Sequence, residues 1–282
     1  MPRFLGGIFG DTVGFSTFVS NTKGVYGMND QYWTKREGGW RGFSASGGNI
    51  DGAEPGNGYT YHVFTSPGTL TCSGSASIEY LCIGGGGAGG WNDVGGGGGA
   101  GAMRSGTLSS TQAGTVTISI GEGGATQSSS PHRGGDGEAS SLSGPAITTI
   151  TSDGGGGGGA GSAGETKPSP APHNGFAAGG NGSPLPAYAG PLFPTMPSDW
   201  KNATGPTGLY AGGGGGGGDN APQGSRPPGG GGQGGTGGCS GGNESATVGL
   251  ANMGAGGGGA TGCGGSGAAV GGDGIVICRY QS

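Results

Sequence analysis

The amino-acid sequence predicts a mainly β and irregular fold: a small antiparallel β base, a bundle of polyglycine II helices and a loop-bearing tip, with no significant α-helix. The first observation is that glycine supplies 83 of 282 residues, where about 7% is usual. The second is that these glycines form blocks, such as Gly212–Gly218. The third is that segments rich in β-forming residues lie directly beside several blocks.

The glycine blocks have several structural interpretations. They have no period of three, which excludes collagen, and no repeat of 20–50 residues indicates a solenoid. Composition alone favours a flexible or disordered linker, because ordering a glycine costs more backbone entropy than ordering any other residue. Extended polyproline-type helices are the ordered alternative, since their outward-pointing N–H and C=O groups can pair between neighbouring helices. Strands bracketing the blocks favour this ordered alternative.

The predicted strands share alternation or short apolar runs bounded by Gly, Pro or Ser. They can form a small antiparallel sheet or sandwich, from which the glycine blocks extend. In chain order they are Tyr59–Phe64, Thr69–Cys72, Ser77–Ile83, Gly114–Ile120, Ala146–Ile150 and Gly274–Tyr280.

The segments that interrupt the glycine blocks are predicted to be loops at the far ends of the rods, and Ser183–Tyr210 is the longest. Aromatic rings in such loops can stack on sugar rings while polar neighbours orient the hydroxyl groups. The alternative is that these rings pack over the ends of the glycine rods. The candidate receptor-binding residues are Trp91, Tyr188, Phe193, Trp200 and Tyr210; Phe176 is a further loop ring, and the polar neighbours are Asn92, Asp93, Asp199 and Asn202.

Residues 1–57 form a predicted N-terminal arm, and residues 58–282 form the glycine-rich domain. Large aromatic residues anchor interfaces, and the arm has little core of its own to bury them. Docking to another protein or to a sister chain is therefore expected, with packing onto the chain's own sheet as the alternative. The arm residues chosen for this role are Tyr26, Tyr32, Trp33 and Trp40.

Charge and hydropathy exclude several classes of protein. A net charge of −5 with only 10% charged residues gives no basic footprint for nucleic acid. No apolar run reaches about 18 residues, so membrane insertion is not expected. No hydrophobic segment follows Met1–Phe4, so a signal sequence is not expected either.

No reactive constellation is found, so neither a catalytic residue, a metal site nor a cofactor is expected. The five cysteines contain no C-x-x-C pair and match neither a zinc site nor a disulfide framework, so small buried side chains are their expected role. The three histidines lie far apart, and His62, in a predicted strand, is expected to be packed or solvent-facing and not a ligand. Matches to G-x-G-x-x-G arise by chance in such a glycine-rich chain.

Three segments mark the borders of the glycine-rich region: Tyr61–Leu70 (YHVFTSPGTL), Ile78–Ile83 (IEYLCI) and Gly272–Tyr280 (GDGIVICRY). Through these segments, residues 58–282 resemble the glycine-rich domain of bacteriophage tail-fibre and other virion proteins. The arm segment Gly24–Tyr32 (GVYGMNDQY) is similar to a segment of phage structural proteins.

The resemblance implies a virion protein, exposed on the particle and made in the host cytoplasm: a tail fibre or fibre-tip adhesin whose loops bind a host surface glycan or protein. It also implies attachment to other virion proteins through the arm, and admits a homo-oligomer such as a trimer. The alternative is a capsid or tail decoration or fibre subunit without a receptor. An ice-binding protein, which would present a flat glycine face, is disfavoured by the long aromatic loops.

Overall fold

A computed structural model describes residues 43–91, 95–111, 114–127, 132–159, 179–219, 226–237, 244–260 and 267–282. Tyr26, Tyr32, Trp33 and Trp40 of the predicted arm lie outside the described residues, as does Phe176. Their predicted roles stay predictions.

The described part of the chain contains two large sheets and two short strand pairs. Its strands are β1 (Ser44–Ser46), β2 (Ile50–Ala53), β3 (Tyr59–Phe64), β4 (Gly68–Ser73), β5 (Ala76–Ile83), β6 (Met103–Thr111), β7 (Gly114–Ser119), β8 (Ser140–Gly144), β9 (Ile147–Ser152), β10 (Ser183–Pro184), β11 (Leu209–Tyr210), β12 (Gly218–Asp219), β13 (Thr236–Gly237) and β14 (Ile275–Gln281). The only helices in the described part are two single 3₁₀ turns, Pro186–Tyr188 and Gly190–Leu192, and one α-helix, α1 (Ser198–Thr204). None of them is long and apolar enough to cross a membrane. The mainly β and irregular fold is confirmed.

The two large sheets form an antiparallel β-sandwich. The first sheet has the strand order β1-β4-β7-β8-β9, and the second has the order β2-β3-β14-β5-β6. Side chains from both sheets meet in one buried cluster, including Leu70 and Ile118 from the first and Phe64 and Val276 from the second. Because β14 pairs with both β3 and β5, the end of the chain lies at the centre of the second sheet.

Residues 44–53, assigned from the sequence to the arm, pair with the sandwich. Strand β1 lies beside β4, and β2 lies beside β3. His62 of β3 is fully buried, and its Nδ1 atom lies 3.0 Å from the carbonyl oxygen of Gly47. Of the two positions expected for His62, packed or solvent-facing, the structure has the packed one.

The glycine blocks form extended segments, which we call passes, that run between the sandwich and the far end of the molecule. Hydrogen-bond registers give the direction of each pass. Passes lead away from the sheets at 84–91, 121–127, 153–159, 211–218, 229–235 and 255–260, and return at 95–102, 132–139, 179–182, 244–250 and 267–274. The predicted polyglycine bundle is therefore present and ordered.

Pass 84–91 lies inside this bundle and has the three-residue period of a polyproline-type helix. Its amides donate in rotation, at N···O distances of 2.8–3.1 Å, to the returning passes 95–102, 132–139 and 267–274. Its carbonyl oxygens accept from three outgoing passes through the amides of Gly124, Gly155 and Gly257, at 2.7–2.9 Å. Six neighbouring passes thus form hydrogen bonds with this pass, which is buried from Gly84 to Gly90.

Close packing explains why these passes are made of glycine. A Cβ atom at Gly85 would lie 2.1 Å from the carbonyl oxygen of Glu122, and one at Gly89 would lie 2.0 Å from that of Gly258. Real Cβ atoms do not approach backbone so closely, because protein interiors have no slack to absorb the overlap. Within Gly84–Gly90 the exception is Ala88, whose methyl group is fully buried.

Candidate functional site

Residues 183–210, the longest interruption, form a compact layer that we call the aromatic cap. Its two ends pair as β10 and β11, with the 3₁₀ turns and α1 between them. Its apolar side chains pack with those of β3, β5 and β14 in one cluster that includes Tyr61, Leu81 and Ile277. The aromatic cap therefore covers the outer face of the second sheet, at the base of the bundle.

This position differs from the predicted tip at the far ends of the rods. Strands β5 and β14 carry apolar residues on both faces, as in Leu81-Cys82-Ile83 and Ile275-Val276-Ile277. One face packs on the first sheet, and the other needs a second covering layer. Continuous apolar runs of this kind are typical of strands buried on both sides, so the sequence did contain a signal for the cap.

The rings of the aromatic cap pack against one another and against the sheet. Phe193 meets Tyr61 and Trp200 edge to face, at centroid distances of 5.3 and 5.7 Å. Trp200 in turn meets Tyr210 at 5.8 Å. Such arrangements suit the ring quadrupoles, and they join the rings of the cap and the sheet in one packed layer.

The buried polar atoms of these rings have partners. Trp200 Nε1 donates to the carbonyl oxygen of Asn252 at 2.9 Å, and the Tyr210 hydroxyl donates to that of Tyr188 at 2.7 Å. Burial raises the pKa of both tyrosines. Arg279 of β14 joins sheet and cap, because its Nη1 donates to the Ala187 carbonyl at 3.2 Å.

Four of the five candidate receptor-binding rings are therefore covered. Tyr188, Phe193, Trp200 and Tyr210 are each no more than 3% exposed. The expectation of exposed rings in this segment is wrong for these four, because the outer face of the sheet needs them for its own core. The alternative, in which the rings pack over the ends of the glycine rods, predicted their burial but not its place, because they pack on the second sheet.

Trp91 is the one candidate ring at the far end of the bundle. It ends the pass 84–91, is partly exposed, and lies 5.0 Å from the ring of His132 between centroids. Its amide donates to the His132 carbonyl at 2.8 Å. A seven-residue extended pass is about 22 Å long, so Trp91 and the aromatic cap cannot share one small ligand.

A cleft of about 570 Å³ opens beside the aromatic cap. One wall is formed by the exposed side of α1 and the turn after it, with Asp199, Asn202 and Thr207 supplying polar groups. The other wall is formed by Arg226 and the two prolines after it, and Leu250 and Leu209 add apolar surface. A concave site with apolar lining and a few polar groups is typical of ligand-binding pockets.

Arg226 is the cation of this cleft, and part of it is fixed by the bundle. Its Nη1 atom donates to the carbonyl oxygens of Gly230, Gly231 and Val248 at 3.1, 3.3 and 2.8 Å. Burial lowers the pKa of the guanidinium, and the charge of Asp199 partly opposes that effect. Among the described residues Arg226 forms no ion pair.

The cleft unites residues that the sequence only partly identified. Asp199 and Asn202 were predicted as polar neighbours of the ring Trp200, and they line the cleft, whereas the ring itself faces the core. Arg226 and Leu250 were missed, since they lie in other interruptions and no local pattern joins them to α1. Among the described residues, no group of three or more His, Cys, Asp or Glu side chains could hold a metal ion.

Comparison with known proteins gives one result at the level of family. A family model described as a glycine-rich domain matches residues 64–281. No curated protein matches the chain.

Proposed function

Because the chain belongs to the glycine-rich domain family, we propose that its polyglycine bundle is a scaffold that presents a recognition site on a bacteriophage particle. The chain would act there as a tail fibre or fibre-tip adhesin that binds a receptor on the host cell surface. The assignment to a virion is supported by the resemblance of residues 24–32 and 58–282 to phage structural proteins. The arm, through Tyr26, Tyr32, Trp33 and Trp40, would attach the chain to other virion proteins or to sister chains.

The observation that carries the recognition role is the cleft beside the aromatic cap. Both walls are fixed by contacts within the protein. Helix α1 packs through Trp200 against Phe193 and Tyr210, and Arg226 is held by three backbone carbonyl groups. Preformed walls reduce the ordering cost of binding. A site of modest affinity is sufficient on a particle with many copies, because multivalency multiplies weak single-site binding.

The alternative function is a decoration or fibre subunit without a receptor. The burial of Tyr188, Phe193, Trp200 and Tyr210 favours it, because these rings stabilise the fold and are not available to a ligand. The two functions differ in one requirement: only the adhesin needs an open cleft.

A substitution that fills the cleft distinguishes the adhesin from the decoration subunit. Thr207 is exposed and lines the cleft, so Thr207→Trp should obstruct it without disturbing the core. Thr195→Trp is the matched control, since Thr195 is an exposed turn residue that does not line the cleft. Particles with Thr207→Trp should assemble normally and adsorb to host cells much more slowly than control particles. Equal adsorption by the two would reject the adhesin function and favour decoration.

A further inference from the structure

We propose that the ligand of the cleft is an acidic saccharide, with a sugar carboxylate bound by the free edge of the Arg226 guanidinium. This inference rests on the proposed recognition function and narrows the class of receptor. Uronic acids and sialic acids both supply the required group, a carboxylate on a hydroxyl-bearing ring.

The hydrogen bonds of Arg226 divide its guanidinium into two parts. Among the described residues, its hydrogen bonds all come from Nη1, which donates to the carbonyl groups of Gly230, Gly231 and Val248. An arginine has five N–H donors, and those on Nε and Nη2 have no acceptor in the part of the chain that the structure describes. These two nitrogens form the planar edge that matches both oxygens of a carboxylate.

Fixing Nη1 also orients this free edge in advance. The guanidinium cannot rotate without losing bonds to two passes of the bundle, 229–235 and 244–250. Among the described residues this partly buried cation has only neutral carbonyl groups as hydrogen-bond partners, and the charge of Asp199 acts on it without forming an ion pair. A ligand carboxylate would add a directly bonded negative charge, whereas a neutral hydroxyl group would not.

The remaining walls suit a sugar and not a simple anion. Asp199 and Asn202 are exposed on α1 and can accept and donate hydrogen bonds to ring hydroxyl groups. Leu209, Leu250 and the neighbouring prolines offer apolar contact to the C–H face of the ring. Asp199 would repel a small free anion that brings no hydroxyl donors, so the polar pattern selects a ligand that carries both groups.

Calorimetric titration of the full chain tests the proposal with paired probes. Tetragalacturonate and an α2,8-linked sialic acid tetramer represent the two sources of the carboxylate. Fully methyl-esterified tetragalacturonate has the same ring without the charge, and maltotetraose is a neutral saccharide. At least one acidic probe should bind, with an affinity that falls as salt is added. For galacturonate, esterification should weaken binding about tenfold or more.

Variants connect the binding to Arg226. Arg226→Lys keeps the charge and can still contact the carbonyl groups, but it cannot form the two-nitrogen contact, so affinity for the acidic probe should fall about tenfold. Arg226→Gln should abolish binding, with its thermal midpoint measured to show that it folds. Lys201→Gln is the control, because it removes a positive charge from α1 at a residue that does not line the cleft.

Three results would overturn the inference. Equal affinity for acidic probes and their neutral counterparts, or unchanged binding by Arg226→Lys, would show that no carboxylate contact exists. The absence of binding to every saccharide probe would also reject it. The adsorption experiment with Thr207→Trp decides the recognition function separately, so failure of the saccharide class does not count as failure of the adhesin.

Discussion

At the scale of single residues, the described cysteines are part of the sandwich core. Cys72, Cys82 and Cys278 are free thiols buried between the two sheets, as expected from their lack of metal or disulfide spacing. Burial raises the pKa of all three, and that of Cys82 rises to about 12. Thiolates are the reactive form of cysteine, so these groups should be inert in the folded protein.

Thiol labelling tests this expectation. With Cys239 and Cys263, which lie outside the described residues, replaced by serine, the chain should react with a thiol reagent at pH 8 only as fast as it unfolds. Labelling in urea should then reveal three thiols. Rapid labelling in native buffer would contradict the buried positions.

Asp136 links the stability of the bundle to pH. Its carboxylate accepts from the Gly157 amide at 2.7 Å and pairs with Arg133, and these two contacts lower its pKa from 3.8. A carboxyl group with a lowered folded-state pKa stabilises the fold above its unfolded pKa, and this contribution is lost as pH falls through the folded value.

We therefore expect the free energy of unfolding of Asp136→Asn to fall less than that of the parent as the pH is lowered from about 5 to 2. Urea denaturation at several pH values measures it. Arg133→Gln should reduce the slope less, since the Gly157 bond is the larger cause of the shift. Identical pH profiles for Asp136→Asn and the parent would refute the link.

At the scale of elements, pass 153–159 has distinct inner and outer positions. Gly155 and Gly158 are buried, and Gly156 and Gly159 are exposed, as the three-residue period requires. A Cβ atom at Gly158 would lie 2.1 Å from the Gly96 carbonyl oxygen, whereas one at Gly156 would meet only the Asp136 carboxylate at 3.9 Å.

Alanine at these two positions should have opposite effects. Gly158→Ala should destabilise the protein by about 1–3 kcal/mol through overpacking. Gly156→Ala should be neutral or should stabilise it by up to about 1 kcal/mol, because alanine restricts the unfolded chain. Urea unfolding of both variants measures the difference. Similar stabilities would show that this block is not held in the bundle.

The aromatic cap should contribute strongly to stability through Phe193. Its ring is fully buried between Tyr61 and Trp200, so Phe193→Ala should lower the free energy of unfolding by about 3–5 kcal/mol. Leu192→Ala, at the neighbouring partly buried residue, should cost less. Denaturant unfolding compares the two, and equal small losses would mean that the cap does not close the core.

At the scale of the whole molecule, the bundle and the sandwich stabilise each other. A net hydrogen bond contributes about 0.5–1.5 kcal/mol, while ordering one residue costs about 1–2 kcal/mol of backbone entropy. An isolated glycine pass is therefore not expected to be stable. The sandwich fixes the starts of the passes; for example, the buried Ser152 hydroxyl donates to the carbonyl oxygens of Cys82 and Ala102 at 2.9 and 3.0 Å.

Removal of the arm should separate attachment from folding. Strands β1 and β2 belong to the sandwich, so the deletion should stop at residue 42. The shortened chain should keep the cooperative unfolding of the parent but should fail to enter particles. Incorporation at the parent's level would show that attachment lies elsewhere.

The sequence predicted those strands that have apolar patterns. Segments matching β3, β4, β5, β7, β9 and β14 were identified, and the structure has strands there. Strands β6 and β8 were missed because their sequences, MRSGTLSST and SSLSG, contain few apolar residues. They join the sheets through backbone pairing with β5 and β7, which requires no particular side chains.

The sequence by itself determined that glycine passes alternate with β-strands, because both are specified by local composition: the lack of a Cβ atom in one and apolar alternation in the other. Only the tertiary structure decided which passes form hydrogen bonds with one another, because glycine residues have no side chains that could distinguish one neighbouring pass from another. The cleft has the same origin. Asp199, Arg226 and Leu250 lie in three separate interruptions, and they line one site because the bundle returns each interruption to the same side of the sandwich.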